Sequence, residues 1–176
     1  VFGYEESYGS LIKPFVRDKD APQACLMLAE AAAFYKAKGK TLIDVLNDLY
    51  DEFGTYQESQ TSLTLKGEEG AARIKQILSD LRTSKPDLIA DQKVIRFEDY
   101  KEQIVEENGN VSTLSGFTKS DVLKFYLKDG SWIAIRPSGT EPKCKFYYCV
   151  KGEDKQDAAN KTTAFVSAMK ELSEAS

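Results

Sequence analysis

The sequence predicts an α+β protein in which an incomplete α/β region, residues 1–85, precedes a small α+β domain, residues 86–176. Apolar residues recur mainly at helical spacing in the first region, whereas in much of the second they alternate with polar residues, as they do in strands. Residues 83–87, which include Pro86, form a candidate linker between the regions. The second region therefore predicts an antiparallel sheet of roughly four strands, with helices covering one face.

The first region is predicted to begin with a loop and two helices. Residues 1–10 show no helical period and predict a strand end that leads into a loop. Asp20 can cap a helix that has Pro22 in its first turn and ends before Gly39. A second helix is predicted from Thr41. Its apolar stripe consists of Leu42, Leu46, Leu49 and Phe53.

The remainder of the first region predicts one strand and one helix. Residues 59–65 contain threonines and alternate in polarity, which is typical of a strand, and residues 67–81 return to helical spacing. Three helices and a single strand cannot form a complete sheet. We therefore expect this region to be the end of a larger domain that begins upstream of Val1.

Most of the second region predicts strands. Residues 94–100 alternate in polarity, whereas residues 106–115, with an Asn-Gly-Asn sequence, predict a polar loop. The alternating residues 123–128 and 131–136 flank an Asp-Gly pair, which is a signal for a two-residue hairpin turn. These two segments therefore predict antiparallel strands that are neighbours in the sheet.

The chain is predicted to close with a strand and a helix. The strand spans residues 143–150, and one of its faces consists of Cys144, Phe146, Tyr148 and Val150. The helix presents one apolar stripe, made of Ala158, Thr162, Phe165, Met169 and Leu172. Cys144 and Cys149 fall on opposite faces of the strand, so they cannot easily form a disulfide. Since the chain has only three cysteines, a reducing compartment is expected.

Composition narrows the classes of function. With 24 basic and 28 acidic residues the net charge is −4, which argues against a general nucleic-acid or membrane surface, so neither partner is expected. No apolar run is long enough to cross a membrane, and no signal-peptide pattern is present. Histidine is absent, which excludes histidine general bases, histidine-ligated zinc and Ser-His or Cys-His nucleophile pairs.

The most specific motif is Arg-Pro-Ser-Gly-Thr-Glu-Pro-Lys at residues 136–143, between two predicted strands. Arg136 offers a planar fork of donors that suits a phosphate. Ser138 and Thr140 add hydroxyl donors, and Gly139 allows backbone N–H groups to approach the anion closely. On residue types alone, an ordinary polar turn explains this segment equally well.

Two weaker motifs lie near the start of the chain. The Gly-Tyr-Glu-Glu-Ser-Tyr-Gly sequence of residues 3–9 offers carboxylates and a hydroxyl that suit the vicinal hydroxyls of a sugar. A solvated acidic loop is the simpler account of that segment. The Arg-Asp-Lys-Asp sequence of residues 17–20 precedes the first helix, and a capped helix start explains it on physical grounds.

Taken together, the motifs at residues 3–9, 17–20 and 136–143 resemble, in this order, those of the α-D-phosphohexomutase superfamily. The Glu-Glu-Ser form is similar to the phosphoglucomutase branch. The resemblance implies that residues 1–85 are the end of the family's third domain, which is α/β. It also implies that residues 86–176 are the fourth domain, with a fold like that of the TATA-box-binding protein.

The resemblance also implies roles for individual residues. Glu5 and Ser7 match the family's sugar-recognition loop and are expected to bind the sugar hydroxyls. Arg17 and Lys19 are expected to contact the substrate, and Lys19 is a weaker candidate for a contact near the reacting phosphate. The phosphate that is not transferred is expected to be held by Arg136, Ser138, Gly139, Thr140 and Lys143.

Members of this family interconvert sugar 1-phosphates and 6-phosphates, so the resemblance implies a cytoplasmic isomerase acting on a phosphosugar. A phosphoserine donates the phosphoryl group, glucose 1,6-bisphosphate is the intermediate, and Mg²⁺ is held by an Asp-Gly-Asp loop. This chain contains neither the serine nucleophile loop nor the metal loop. We therefore expect it to bind part of the substrate without catalysing alone, and to need the missing N-terminal domains of the same protein.

Other functions remain open at this level. One is phosphomannomutase or another activity of the same superfamily, and a second is a stand-alone phosphosugar-binding module. A third is a protein-interaction domain with Trp132 and Tyr126 as its surface patch. The truncated first region is also expected to expose an apolar face that favours self-association.

Overall fold

The computed structural model describes residues 2–5, 8–139 and 141–175. The chain divides into two compact units, Val1–Gly54 and Thr55–Ser176. The first unit holds a short hairpin and two helices, and the second holds the sheet and two further helices. Strands and helices are thus largely segregated along the chain, which confirms the predicted α+β class.

The two helices of the first unit form where local sequence signals predict them. The unit contains β1 (Gly3–Tyr4), β2 (Ser10–Leu11), α1 (Ala21–Lys36) and α2 (Leu42–Phe53). The Asp20 carboxylate accepts a hydrogen bond from the Gln23 N–H and caps α1. Thr41 and Asp44 form a reciprocal capping box at the start of α2. Both helix starts are therefore determined by residues within one turn.

The described residues of the first unit do not enclose an apolar core. Gln23 is the one buried residue of α1, and α2 has none. The large apolar side chains of the two helices are instead exposed, among them Leu26, Leu28, Phe34, Ile43, Leu46, Leu49 and Phe53. The predicted apolar stripe of α2 is thus present, but no part of the unit covers it. Exposed apolar surface of this extent is typical of a face that packs against another part of a protein.

The second unit is an antiparallel sheet. Its strands are β3 (Thr55–Thr64), β4 (Leu88–Ile89), β5 (Gln92–Asp99), β6 (Ile104–Glu107), β7 (Asn110–Thr113), β8 (Leu123–Leu127), β9 (Trp132–Pro137) and β10 (Lys143–Gly152). The order across the sheet is β3-β10-β9-β8-β5-β6-β7, and β4 pairs with β5. The four strands predicted from sequence are the central ones, β10, β9, β8 and β5, and other strands extend the sheet at both edges.

Two helices, α3 (Gly67–Thr83) and α4 (Lys155–Ala175), pack on one face of this sheet. The apolar residues of α3 in the core are Ile74, Ile77, Leu78 and Leu81, and those of α4 are Phe165 and Met169. They meet the predicted apolar face of β10 and the buried alternate residues of β8 and β9. Within the described part of the chain, no helix is both long and apolar enough to cross a bilayer.

The boundary between the units differs from the predicted one. β3 pairs with β10 over ten residue pairs, from Thr55 opposite Gly152 to Thr64 opposite Lys143. Because β3 and the α3 helix that follows it belong to the sheet and core of the second unit, the division falls at Gly54. Local patterning predicted both elements but could not show which sheet they join, since β3 and β10 lie far apart in sequence.

The segment predicted as a polar loop over residues 106–115 is largely a hairpin of β6 and β7. Asn108 and Gly109 occupy its turn with φ of 50° and 80°, as a two-residue turn with left-handed residues requires. All four residues of β7 are exposed. An edge strand of this kind carries little of the apolar alternation on which strand prediction depends, and this explains the difference.

The hairpin between β8 and β9 has a three-residue loop rather than the predicted two-residue turn. The Leu127 N–H donates to the Ser131 carbonyl at 2.8 Å, and the Gly130 N–H donates to the Leu127 carbonyl at 3.1 Å. Gly130 has φ of 94°, a conformation that residues with a Cβ rarely adopt. This arrangement matches the common three-residue hairpin with a glycine at its last position.

Substituting Gly130 with alanine is expected to destabilise the second unit by about 1–3 kcal/mol. The positive φ disfavours a Cβ, and the added carbon would lie 3.2 Å from Cδ of Lys151. Urea denaturation followed by circular dichroism measures the change. Gly139→Ala is the matched control, because a Cβ at Gly139 would meet open space. Equal stability of the two variants would contradict the prediction.

Candidate functional site

The predicted phosphate loop connects β9 to β10 and is closed by short backbone hydrogen bonds. The Ser138 N–H donates to the Lys143 carbonyl at 2.7 Å, and the Lys143 N–H donates to the Glu141 carbonyl at 2.7 Å. The Ser138 hydroxyl accepts from the Glu141 N–H at 3.3 Å. The loop is therefore internally braced, which lowers the entropy that ligand binding would cost.

A neighbouring strand holds the far side of the same loop. The Leu65 N–H, just beyond the end of β3, donates to the Pro142 carbonyl at 3.0 Å. In turn, Gly70 of α3 packs so closely on Leu65 that an added Cβ would lie 2.7 Å from the Cβ of Leu65. Three elements of the second unit thus position this loop, namely β9, β10 and the connection from β3 to α3.

Gly139 lies at the exposed tip of the loop. A Cβ placed on it would have no atom within 4 Å, and its φ lies outside the range that excludes side chains. The fold itself therefore does not require glycine at this position. Glycine at this position would instead allow a ligand to approach the backbone N–H groups closely.

The strand register brings basic residues together beside the loop. Arg136 lies directly opposite Lys145 across the β9–β10 ladder, on the face of the sheet that the helices leave open. Lys143, at the first position of β10, lies on the same side, since Cys144 between them points into the core. The candidate anion site therefore has three cations on one face, of which Lys145 is added to the predicted Arg136 and Lys143.

Sequence reasoning missed Lys145. The available signal was the alternation of β10, because a predicted core face containing Cys144 and Phe146 places Lys143 and Lys145 on the other face. Its position opposite Arg136 could not be read from that pattern, since register depends on pairing between strands. Lys145 also lies 5.7 Å from the ring centre of Tyr147.

The aromatic residues on the open face of β8 and β9 contact charged side chains of the same sheet. Nζ of Lys124 lies 4.1 Å from the ring of Trp132 and 4.6 Å from the ring of Tyr126. Glu98 is buried and accepts hydrogen bonds from Arg96, Tyr126 and Tyr100, and burial together with this last bond raises the pKa of Tyr100. The aromatic patch considered for protein interaction is therefore partly covered by the protein's own lysine.

The first unit forms a second candidate site around the β1–β2 hairpin. The Glu5 N–H donates to the Gly9 carbonyl at 2.9 Å, and Tyr8 in the turn has φ of 69°. Nζ of Lys19 lies 3.8 Å from Oε1 of Glu5 and 3.0 Å from Oδ1 of Asp18. The structure therefore joins two motifs that were separate in the sequence, the acidic loop and the charged segment before α1.

The ion pair between Lys19 and Asp18 favours the charged form of both side chains. The hydrogen bond and the proximity to Asp18, with a further contribution from Glu5, raise the pKa of Lys19. The same bond lowers the pKa of Asp18. A Cβ on Gly9 would lie 2.4 Å from Cδ of Lys19 and 2.6 Å from Oε1 of Glu5, so glycine leaves room for both side chains.

The structure gives fewer contacts for the other predicted site residues. Arg17 is exposed in the segment that precedes α1. Ser7 and Thr140 lie outside the described residues, as does Glu6. Among the residues that the structure does describe, no group of three acidic or cysteine side chains could hold a metal ion. These residues therefore do not fit a Mg²⁺ site.

All three cysteines are free. Cys25 is exposed, whereas Cys144 and Cys149 are buried in β10. Burial raises the pKa of Cys144 to about 12 and also raises that of Cys149, so both thiols are protonated at neutral pH and are poor nucleophiles. The cysteines of β10 therefore act as packing residues, as their alternation with apolar residues indicates.

Comparison with known protein families identifies both units. The family model of the phosphoglucomutase/phosphomannomutase C-terminal domain matches residues 68–164. The model of the phosphoglucomutase/phosphomannomutase alpha/beta/alpha domain III matches residues 1–53. These two matches cover the two candidate sites in the same order as the sequence motifs.

Individual proteins show the same similarity. A phosphoglucomutase of Staphylococcus aureus strain N315 is 38% identical over 167 residues, which is 94% of this chain and 30% of that protein. A phosphoglucomutase of Staphylococcus haemolyticus is 41% identical over 149 residues, which is 84% of this chain and 27% of that protein. This chain therefore spans less than a third of the length of these curated relatives.

A solved structure supports the fold. The open form of pp63/parafusin, a phosphoglucomutase from Paramecium, superposes with a TM-score of 0.61 at 20% identity. The match covers 96% of this chain and 30% of that one. At this level of identity the likeness concerns the fold alone.

Proposed function

Because this chain belongs to the phosphoglucomutase/phosphomannomutase family, we propose that it is the substrate-holding C-terminal part of a phosphoglucomutase. The whole protein would interconvert glucose 1-phosphate and glucose 6-phosphate. The observation that carries the proposal is the braced loop beside Arg136, with Lys145 opposite it and Lys143 on the same face. Such a site suits a dianionic phosphate ester better than a neutral sugar.

The phosphate loop would hold the phosphate that is not being transferred. The Arg136 guanidinium can donate two parallel hydrogen bonds to phosphate oxygens, and Ser138 can add its hydroxyl. Gly139 and Thr140 would contribute backbone N–H groups, and Lys143 and Lys145 would contribute charge. A grip on a remote anion positions the sugar without taking part in bond breaking, and such positioning can supply a large part of catalysis.

The loop of the first unit would bind the hydroxyls of the sugar. Glu5 can accept hydrogen bonds from two neighbouring hydroxyls, as Ser7 can from one. Lys19 lies within ion-pair distance of Glu5 and would donate to a sugar hydroxyl or to a phosphate oxygen. Arg17, exposed nearby in sequence, would add charge for the substrate.

The chemical step would be carried out by the rest of the protein. A phosphoserine, Mg²⁺ and the glucose 1,6-bisphosphate intermediate belong to the proposed parent enzyme, and the described residues offer no metal site for that step. The three free cysteines are consistent with a cytoplasmic location. The uncovered apolar face of the first unit would pack against upstream residues, or would drive self-association when they are absent.

The test is the activity of the full-length protein on glucose 1-phosphate compared with mannose 1-phosphate. We expect a clear preference for glucose 1-phosphate, because the relatives described above are phosphoglucomutases, and glucose and mannose differ only in the orientation of one hydroxyl. Equal turnover or a preference for mannose 1-phosphate would favour phosphomannomutase. No turnover of either compound would favour a phosphosugar-binding module.

Replacing Gly139 with alanine distinguishes an effect on stability from an effect on substrate binding. Stability should change by less than about 0.5 kcal/mol, because the added Cβ meets open space. The KM for glucose 1-phosphate should rise about tenfold, since the methyl group would hinder the approach of the phosphate to the backbone. Thermal denaturation and steady-state kinetics measure the two quantities. An unchanged KM would remove Gly139 from the site.

A further inference from the structure

A cavity of 570 Å³ lies on the helix side of the sheet, between β3, β10, α3 and α4. Its apolar lining consists of Leu63, Leu65, Ile77, Phe146, Val166 and Met169. The hydroxyls of Thr61 and Tyr148, which also line it, lie 3.2 Å apart and form a hydrogen bond with each other. The cavity therefore has the size and the apolar character of a small-molecule site.

Two cations line this otherwise apolar cavity, Arg73 of α3 and Lys170 of α4. Nη2 of Arg73 donates to the carbonyls of Ser173 and Glu174 at 3.1 and 3.2 Å, which anchors the end of α4. In the described part of the chain, no carboxylate pairs with Arg73, and its Nε and Nη1 have no partner. A guanidinium half-buried beside apolar surface thus retains donors for an anion.

Lys170 adds a second charge at this place. Its Nζ lies 3.9 Å from Oε1 of Glu174, and both side chains are largely exposed, so the pair is weak and open to exchange. With Arg73, Lys170 and Glu174 the lining carries two positive charges and one negative charge. We propose that this cavity binds a small amphipathic carboxylate of the medium-chain fatty-acid type, with the chain among the apolar residues and the carboxylate on Arg73.

The cavity is connected to the phosphate loop through Leu65. Leu65 lines the cavity with its side chain, and its N–H donates to the Pro142 carbonyl of the loop at 3.0 Å. Gly70 packs against Leu65 from α3 and limits where that residue can move. A ligand that displaces Leu65 therefore changes the support of the phosphate loop. This regulatory consequence rests on the proposed function, whereas binding in the cavity does not.

Calorimetry of the full-length protein with decanoate, decanol and decylamine tests the site, because the three probes share an apolar chain and differ in head-group charge. Decanoate should bind, decanol more weakly, and decylamine most weakly. Arg73→Gln should weaken decanoate binding about tenfold, while Lys75→Gln, an exposed change on the same helix, should leave it unchanged. Equal binding of the three probes, or of both variants, overturns the assignment.

A second pair of variants guards against a folding effect at Arg73. Val166→Trp should fill the cavity and abolish decanoate binding, whereas Ser167→Trp, exposed on the same helix, should not. Decanoate should also change the KM for glucose 1-phosphate in the wild-type enzyme but not in Val166→Trp. An unchanged KM with bound decanoate overturns the link to the loop. Binding measured by calorimetry does not depend on mutase activity, so it tests the cavity even if the proposed function is wrong.

Discussion

Replacing Arg136 with alanine in the full-length enzyme is expected to lower kcat/KM for glucose 1-phosphate about a hundredfold, or by ~3 kcal/mol. The side chain is exposed on the open face of the sheet and is not part of the core, so the change would remove the proposed anion contact without creating a cavity. The bracing bonds of the loop are made by the backbone and by Ser138. Steady-state kinetics with glucose 1-phosphate as the varied substrate measures the loss.

Two further variants test whether the effect of Arg136→Ala is specific to the guanidinium group. Arg136→Lys keeps the charge but loses the planar fork of donors, and should lower kcat/KM about tenfold. Lys128→Ala removes an exposed cation from the hairpin loop at the opposite end of β9, and should have no effect. If Lys128→Ala lowered activity as much as Arg136→Ala does, general charge rather than a specific phosphate grip would explain the result.

A shortened chain of residues 55–176 is expected to unfold cooperatively in urea, whereas residues 86–176 should show no cooperative transition. The shorter chain lacks β3, which forms ten residue pairs with β10, and α3. Burial of the four apolar core residues of α3 contributes about 1.5–3 kcal/mol for each side chain. Since domains of this size are stable by only about 5–15 kcal/mol, this loss is comparable to the whole stability.

A chain of residues 66–176 serves as the control, because it lacks β3 but retains α3. Its stability should lie between those of the other two chains, since the core is kept while one edge of the sheet is lost. Urea denaturation followed by tryptophan fluorescence reports on Trp132 of the central strand β9. Equal stability of all three chains would mean that the unit begins near residue 86, as the sequence pattern predicted.

Local signals predicted the parts of the fold that depend on neighbouring residues. The Asp20 cap, the helical spacing that follows Thr41 and the Asp-Gly hairpin signal all depend on residues close together in the chain. They located the helices and the central strands, and alternation identified the buried face of β10. The prediction failed at the hairpin of β6 and β7, because β7 is a fully exposed edge strand and β6 has only one buried residue, so neither carries a clear apolar alternation.

For the candidate sites, too, the sequence identified residues and the structure showed which of them lie together. Residue types and the resemblance pointed to Glu5, Lys19 and the loop at residues 136–143 before any geometry was known. Only the structure showed that Lys19 lies beside Glu5, and that Lys145 lies opposite Arg136. Both contacts join residues that are separated in the chain.

The sequence by itself determined where the first two helices begin, which central strands form, which of their faces are apolar, and which short motifs are candidates for binding an anion or a sugar, because each depends on the order of nearby residues. The tertiary structure decided that β3 and α3 belong to the second unit, that three cations gather at one loop, and that Leu65 links a cavity to that loop. The physical reason is that strand register and helix packing are set by the burial of distant surfaces against one another, which no local pattern records.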